Sequence, residues 1–167
     1  EADADPLTSQ GIYVFTGNGN VPAQAAVGNL LEVTGTVAEY TPSSNPHQQP
    51  LTELTNSTVA SLVSSGNLLP AAVEITADLA NPDAPVDTLE RLEGMRVSIA
   101  RLVATAPGEG FIDENDALSE ANGNFWGVVE GVARPFREEG VGALDVTPGI
   151  PANTPVFDTN PERIRVQ

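Results

Sequence analysis

The sequence predicts a mostly β fold built around one small, strongly curved barrel. Two β-branched runs each carry an internal glycine, Gly35 within Leu30–Tyr40 and Gly131 within Phe125–Arg134. β-branched residues favour strands, and a glycine inside a strand usually marks a bend, a bulge or a close backbone approach. Small barrels need such bends in order to close. The 15 Gly and 14 Pro among 167 residues are also typical of a turn-rich β protein.

Alternating or β-branched segments bounded by turn residues define the expected strands. In chain order these are Gly11–Thr16, Leu30–Tyr40, Leu51–Thr55, Thr58–Val63, Ala72–Thr76, Met95–Thr105, Phe125–Pro135 and Thr154–Phe157. One short helix is expected at Thr88–Glu93. Asp87 and Glu90 have the spacing of a capping box, and Gly94 suits the position that follows a helix. Phe111–Ser119 fits neither pattern.

The main order, strand, strand, strand, short helix, strand, strand, is that of an oligonucleotide/oligosaccharide-binding (OB) barrel. Thr58–Val63 and Ala72–Thr76 are two more short strands before the helix. An immunoglobulin-like sandwich is the competing architecture, but it would need about seven strands and no buried helix. The length suits one domain, so we expect residues 1–167 to form a single OB-like β domain. The chain begins at Glu1 rather than Met, which indicates a piece of a longer protein.

The composition excludes several classes of function. The net charge is −16 and all seven basic residues are arginine, so the protein repels phosphate backbones and nucleic-acid binding should be weak. The lack of cysteine excludes disulfides, thiolate catalysis and zinc–sulfur sites. No window approaches the ~20 apolar residues of a membrane span.

The side chains that usually perform catalysis are scarce. His47 is the only histidine, and it lies in a loop between Pro46 and Pro50, where we expect it at the surface. A catalytic histidine would need an orienting carboxylate and a nucleophile nearby, and no nucleophile-elbow motif is present. We therefore expect no enzymatic activity from this chain alone.

Oxygen ligands for a Ca²⁺ ion are concentrated in one short segment. The candidate ligands are Asp113, Asn115, Asp116 and Glu120. The segment is not an EF-hand loop, because Leu118 stands where that loop requires glycine. A second acidic group at the start of the chain contains Glu1, Asp3 and Asp5. Ordinary solvated turns have the same composition, so both interpretations remain open.

Aromatic residues on the expected strands are the candidate ligand contacts. An OB face binds through stacking aromatic rings and neighbouring arginines. The candidates are Tyr13, Phe15, Tyr40, Arg96 and Arg101. Tyr13 and Phe15 are two apart and therefore share one face of a strand. The alternative is that these rings fill the barrel interior, which the general tendency of aromatic residues to be buried favours.

Several segments also resemble one known group of proteins. Ser9–Gly17 resembles the S-D-G-I-F-V-Y-T-G segment of OB-like domains in bacterial extracellular nucleases, and Val27–Tyr40 resembles their V-G-D-x-V-x-V-T-G-x-V-x-E-F. Further matches are Leu51–Leu54 with L-T-Q-L, Leu89–Val97 with L-E-x-Y-E-G-M-x-V, Gly127–Glu138 with G-V-x-x-G-V-A-R-P-F-R-E and Pro161–Val166 within N-P-E-R-L-x-V. The matches are scattered over most of the chain.

The resemblance implies a non-catalytic accessory module of a secreted or cell-envelope hydrolase. In that family an endonuclease/exonuclease/phosphatase domain follows in the same polypeptide and holds the catalytic residues, none of which has a matching position here. The module would position that domain or contact nucleic acid. An aromatic strand that precedes the barrel in the family is absent, so the first strand is expected to be missing. The alternative is a Ca²⁺-stabilised β module that binds glycan or protein.

Overall fold

The computed structural model describes residues 5, 7–17, 21–44, 46, 48–108, 110–135, 139–142 and 148–167. The protein is mostly β, with 38% of its residues in strands and 2% in helical turns, and a sheet curls into half a barrel. The predicted class, a mostly β fold with a curved sheet, is confirmed. The chain divides into two compact units. One contains Glu1–Val73 and Glu90–Val97, and the other contains Glu74–Leu89 and Ser98–Gln167.

The first unit contains a three-stranded sheet in the order β1-β3-β2. Its strands are β1 (Tyr13–Val14), β2 (Leu30–Tyr40) and β3 (Leu51–Ser64). β2 runs antiparallel to β3, and β1 pairs with β3 in the parallel direction. The predicted bounds of β2 are confirmed. The two strands predicted at Leu51–Thr55 and Thr58–Val63 are wrong as separate elements, because they form one continuous strand.

Where the sequence predicts a gap between two strands, at residues 56–57, the structure has a register shift between β2 and β3. At Gly35 one residue of β2 faces two residues of β3, Asn56 and Ser57. Asn56 has a φ of 50°, a conformation that asparagine tolerates better than most residues. A Cβ on Gly35 would lie 3.1 Å from the carbonyl oxygen of Thr55. The prediction that Gly35 marks an irregularity in its strand is thereby confirmed, and a bulge of this kind increases the local twist.

The predicted helix at Thr88–Glu93 is wrong in extent. The structure forms only a single 3-10 turn, Glu90–Leu92. A helix of about six residues fixes several backbone angles for few hydrogen bonds, so it does not propagate without strong packing. Gly94 follows the turn with a φ of 65°, in the left-handed conformation expected of a glycine at that place.

The second unit is also built from short strands. Its largest sheet has the order β12-β9-β6 and is antiparallel throughout. The strands after β3 are β4 (Val73–Glu74), β5 (Val97–Ser98), β6 (Leu102–Pro107), β7 (Gly110–Asp113), β8 (Leu118–Ala121), β9 (Phe125–Val129), β10 (Val141–Gly142), β11 (Val156–Phe157) and β12 (Ile164–Val166). β7 pairs with β8 and β10 with β11, whereas β4 and β5, which pair with each other, each have their first residue in the first unit and their second in the second unit. Among the described residues, the buried apolar side chains are Ile75, Ala80, Val128 and Val129, all in this unit.

Two strand predictions in this half of the sequence need correction. The segment Met95–Thr105 is divided into β5 and β6, with Ile99–Arg101 between them outside any strand. Gly131 lies beyond the end of β9 in a turn, where its φ is 95°. Gly131 therefore allows the positive φ that this turn requires, and it does not mark a bend inside a strand.

A helix that crosses a membrane must be long and apolar. Within the described ranges the structure contains no helix with the length and apolar character needed to cross a bilayer.

An aromatic cleft as the candidate functional site

One cleft in the first unit gathers three of the predicted ligand-binding residues. We call it the aromatic cleft. Its lining residues are Tyr13, Phe15, Tyr40, Leu51, Glu53 and Thr55, around a volume of about 480 Å³. Leu51, Glu53 and Thr55 alternate along β3, so they share one face of the sheet. The cleft is thus formed on the face of the β1-β3-β2 sheet.

The strand register explains why the rings come together. Tyr13 is paired with Glu53 across the parallel β1–β3 ladder, and Tyr40 is paired with Leu51 across the antiparallel β2–β3 ladder. Paired residues in a sheet point to the same face. The Phe15 N–H donates to the carbonyl oxygen of Leu54 at 2.9 Å, and the Ser57 hydroxyl donates to the Phe15 carbonyl at 2.6 Å. These bonds hold Phe15 against β3 beyond the end of β1.

The three rings are open to solvent. Tyr13 is 48% exposed, Phe15 38% and Tyr40 50%. The alternative interpretation, in which these aromatic residues fill a barrel interior, is therefore wrong. Aromatic faces grouped around an open cleft on a sheet are suited to stacking against a ligand.

Glu53 lies between these rings and is nearly inaccessible. Its exposed fraction is only 8%, although it lines the cleft. A charged residue at such a position is unusual, because burial of a carboxylate is costly unless a partner compensates the charge. Sequence reasoning did not single out Glu53. The sequence does contain one indication of its role: Glu53 is an acidic residue on the same strand face as Leu51 and Thr55.

The two predicted arginines do not line the aromatic cleft. Arg96 belongs to the same unit, but its Nη1 donates to the carbonyl oxygen of Pro70 at 3.0 Å. Arg101 belongs to the second unit, where its guanidinium forms an ion pair with Glu130 at 3.0 Å. The lining residues of the cleft therefore include one acidic side chain and no basic one.

The predicted Ca²⁺ ligands lie on the β7–β8 hairpin and the turn that joins its strands. The Oδ1 atom of Asp113 accepts hydrogen bonds from the amides of Asn115 at 3.0 Å and Asp116 at 3.4 Å, so it stabilises the turn. Glu120 is paired with Phe111 further along the hairpin. In the described part of the chain, no group of three or more His, Cys, Asp or Glu side chains is arranged to hold a metal. The structure therefore does not bring the carboxylates of Asp113, Asp116 and Glu120 together as a metal site.

The other acidic candidates fall partly outside the described residues. Glu1, Asp3 and His47 are not among them. Asp5 is described, and its Oδ1 accepts a hydrogen bond from the Leu7 amide at 2.9 Å. Asp5 therefore takes part in a local turn.

A second cleft, in the second unit, was not predicted. Arg134 and Arg163 line it together with Thr105 and Asn160. Each arginine has a partner there: Arg134 donates to the Thr105 carbonyl at 3.2 Å, and the Arg163 guanidinium lies 4.0 Å from the centre of the Trp126 ring. Both contacts stabilise the β12-β9-β6 sheet, so we assign them to the fold.

Comparison with known proteins adds no further assignment. No protein-family model matches the sequence, and no curated protein or solved structure is significantly similar to it.

Proposed function

We propose that the chain is a non-catalytic, OB-like accessory module of a secreted or cell-envelope nuclease or phosphatase, and that it contacts its ligand through the aromatic cleft. The exposure of Tyr13, Phe15 and Tyr40 around one cleft is the observation that carries this proposal. Exposed rings on a sheet face are the binding device of OB modules, where each stacked base contributes about 1–3 kcal/mol.

The chemistry of the residues supports the proposal that the chain is non-catalytic. The chain has no cysteine and no lysine, and its one histidine stands between Pro46 and Pro50 in the sequence. Under the proposal, catalysis belongs to a domain further along the same polypeptide, as in the nucleases whose OB-like segments this sequence resembles. The module positions that domain or holds part of its substrate.

A second candidate, a glycan- or protein-binding module, is favoured by a different observation. The cleft contains the carboxylate of Glu53 and no basic residue. A carboxylate accepts hydrogen bonds from the hydroxyls of a sugar or the N–H groups of a polypeptide, whereas it repels phosphate. The two candidates share the cleft and differ in the ligand.

Ligand titration followed by amide NMR tests the proposal. A single-stranded deoxycytidine oligonucleotide, a chitin oligosaccharide and a basic peptide are the probes. At least one should shift the amide signals of Tyr13, Phe15 and Tyr40, and Tyr13→Ala should weaken that binding by about tenfold, the effect of losing one stacking ring. Phe111→Ala is the matched control, because Phe111 is 59% exposed but lies on β7 in the other unit.

Two results would overturn the proposal. One is binding of none of the three probes at the aromatic cleft. The other is metal-dependent hydrolysis of DNA or a phosphate ester by the isolated chain, abolished by Asp113→Ala or Glu120→Ala.

A further inference from the structure

The state of Glu53 indicates the chemical class of ligand. Only 8% of the residue is exposed, and it lines the aromatic cleft. Neither of its carboxylate oxygens is both inaccessible to solvent and without a hydrogen-bond partner. No described residue donates a hydrogen bond to this carboxylate or forms an ion pair with it. The side chain is therefore mostly enclosed, while its unpaired carboxylate keeps contact with solvent, and the cleft is the side from which a partner can reach it.

The rings around Glu53 favour the same sign of ligand charge. The face of an aromatic ring is negative, so it attracts cations, and the attraction grows when the cation is desolvated. Tyr13 is adjacent to Glu53 across the sheet, and Tyr40 and Phe15 complete the lining. A carboxylate beside three rings gives an organic cation both a counter-charge and apolar contact.

The alternatives are disfavoured by charge. A phosphate in this cleft would meet a buried carboxylate in a chain of net charge −16, without a lysine or arginine in the lining to offset it. A neutral sugar would satisfy hydrogen bonds but leave the charge of Glu53 uncompensated. A cation supplies the counter-charge that this mostly enclosed carboxylate lacks.

We propose that the aromatic cleft binds an alkylammonium or guanidinium group, with Glu53 as counter-ion and Tyr13, Phe15 and Tyr40 as its walls. The inference rests on the proposed binding function of the cleft and specifies its ligand. Such a group is carried by a lysine or arginine side chain of a basic polypeptide, or by a free polyamine.

The test compares ligands that differ only in charge. The probes are a peptide containing arginine, the same peptide with citrulline in its place, and spermidine. Binding is followed by the amide signals of Tyr13, Glu53 and Tyr40. The arginine peptide should bind at least about tenfold more tightly than the citrulline peptide, because the neutral analogue leaves Glu53 unpaired. Spermidine binding of equal strength would assign the group to a free polyamine, and weaker spermidine binding would assign it to a polypeptide; both support the cation.

Two variants separate the cleft from the general acidity of the chain. Glu53→Gln keeps the size of the side chain and should weaken binding of the arginine peptide by at least about tenfold. Glu32→Gln removes the same charge from an exposed position on β2, where Glu32 accepts a hydrogen bond from Ser61, and should change binding by less than about twofold.

The stability of the ligand-free protein gives an independent measurement. If the Glu53 carboxylate has no partner in the ligand-free protein, Glu53→Gln should raise the thermal midpoint of unfolding, because the substitution removes a mostly enclosed, unpaired charge. A lowered midpoint, equal binding of the arginine and citrulline peptides, or unchanged binding by Glu53→Gln would overturn the inference. If Tyr13→Ala weakens binding of an oligonucleotide or oligosaccharide while Glu53→Gln does not, the proposed function stands and the cation assignment fails.

Discussion

Gly11 and Gly94 lie so closely against each other that a side chain on Gly11 would overlap the backbone of Gly94. A Cβ on Gly11 would clash with the carbonyl carbon of Gly94, and a Cβ on Gly94 would be crowded, 3.0 Å from the amide nitrogen of Ile12. Hydrogen bonds surround this contact. Glu93 accepts one from the Ser9 hydroxyl through its carbonyl and another from the Thr52 amide through Oε2. The 3-10 turn is thereby attached to the segment that leads into β1.

Substitution of Gly11 should destabilise the protein strongly. Gly11→Ala places a methyl group against backbone atoms, which cannot rotate away, so the free energy of unfolding should fall by about 2–3 kcal/mol. Urea denaturation followed by circular dichroism measures it. Gly66→Ala is the control: it has a φ of 70° but nothing within 4 Å of an added Cβ, so only backbone strain of about 1 kcal/mol applies. Equal losses in the two variants would contradict the close contact.

Gly35 and Gly131 should respond differently to substitution, although they occupy similar sequence contexts. Gly35→Val should lower the free energy of unfolding by more than about 2 kcal/mol, because a Cβ added at this position would lie only 3.3 Å from the Cβ of Leu54 and valine adds two further methyl groups. Gly131→Val should cost about 1–2 kcal/mol from backbone strain alone, since its surroundings are open. Gly131→Asn should recover part of that cost, because asparagine tolerates positive φ. A neutral effect at Gly35 would disprove the close approach of the two strands.

Amide exchange should be slow at the C-terminal strand. Ile164–Val166 pairs with Phe125–Gly127 in the antiparallel β12–β9 ladder. The ladder amides of β12 should therefore exchange more slowly than those of the exposed turn at Asn115 and Asp116. Hydrogen exchange measured by NMR in a monomeric sample provides the comparison. Rapid exchange throughout Ile164–Val166 would show that this strand is not formed in solution.

DNA binding should be weak at about 150 mM salt, because ordinary non-specific binders reach only ~10⁻⁴ to 10⁻⁶ M under such conditions. The net charge of −16 opposes even that level. Of the arginines, Arg96 and Arg101 are held by Pro70 and Glu130. Fluorescence anisotropy with single-stranded DNA measures the affinity, and a sub-micromolar dissociation constant would contradict the prediction.

The parts of the fold that depend on local sequence were predictable. β2 was predicted with its observed bounds because its β-branched run is flanked by turn residues. β3 was not, because the bulge at Asn56 interrupts the alternation without ending the strand. The helix at Thr88–Glu93 was overestimated, since capping residues favour a helix but cannot sustain one of that length.

The candidate site shows the same division. Tyr13, Phe15 and Tyr40 were recognised because an aromatic residue on a strand is visible in sequence. Glu53 was not, because its position beside Tyr13 is fixed by a parallel pairing between distant segments. Arg101 was chosen for its residue type, and only the structure shows that it forms an ion pair with Glu130.

The division into two units has a consequence for synthesis on the ribosome. The chain passes between the units after Val73, after Leu89 and after Val97. A protein terminated at residue 73 therefore lacks Glu93 and Gly94, the partners of Ser9, Thr52 and Gly11. As the nascent polypeptide emerges, the first unit remains incomplete until residue 97 has left the exit tunnel, by which time residues 74–89 of the second unit are already outside. Gene exchange by a single crossover cannot transfer either unit without also carrying a part of the other.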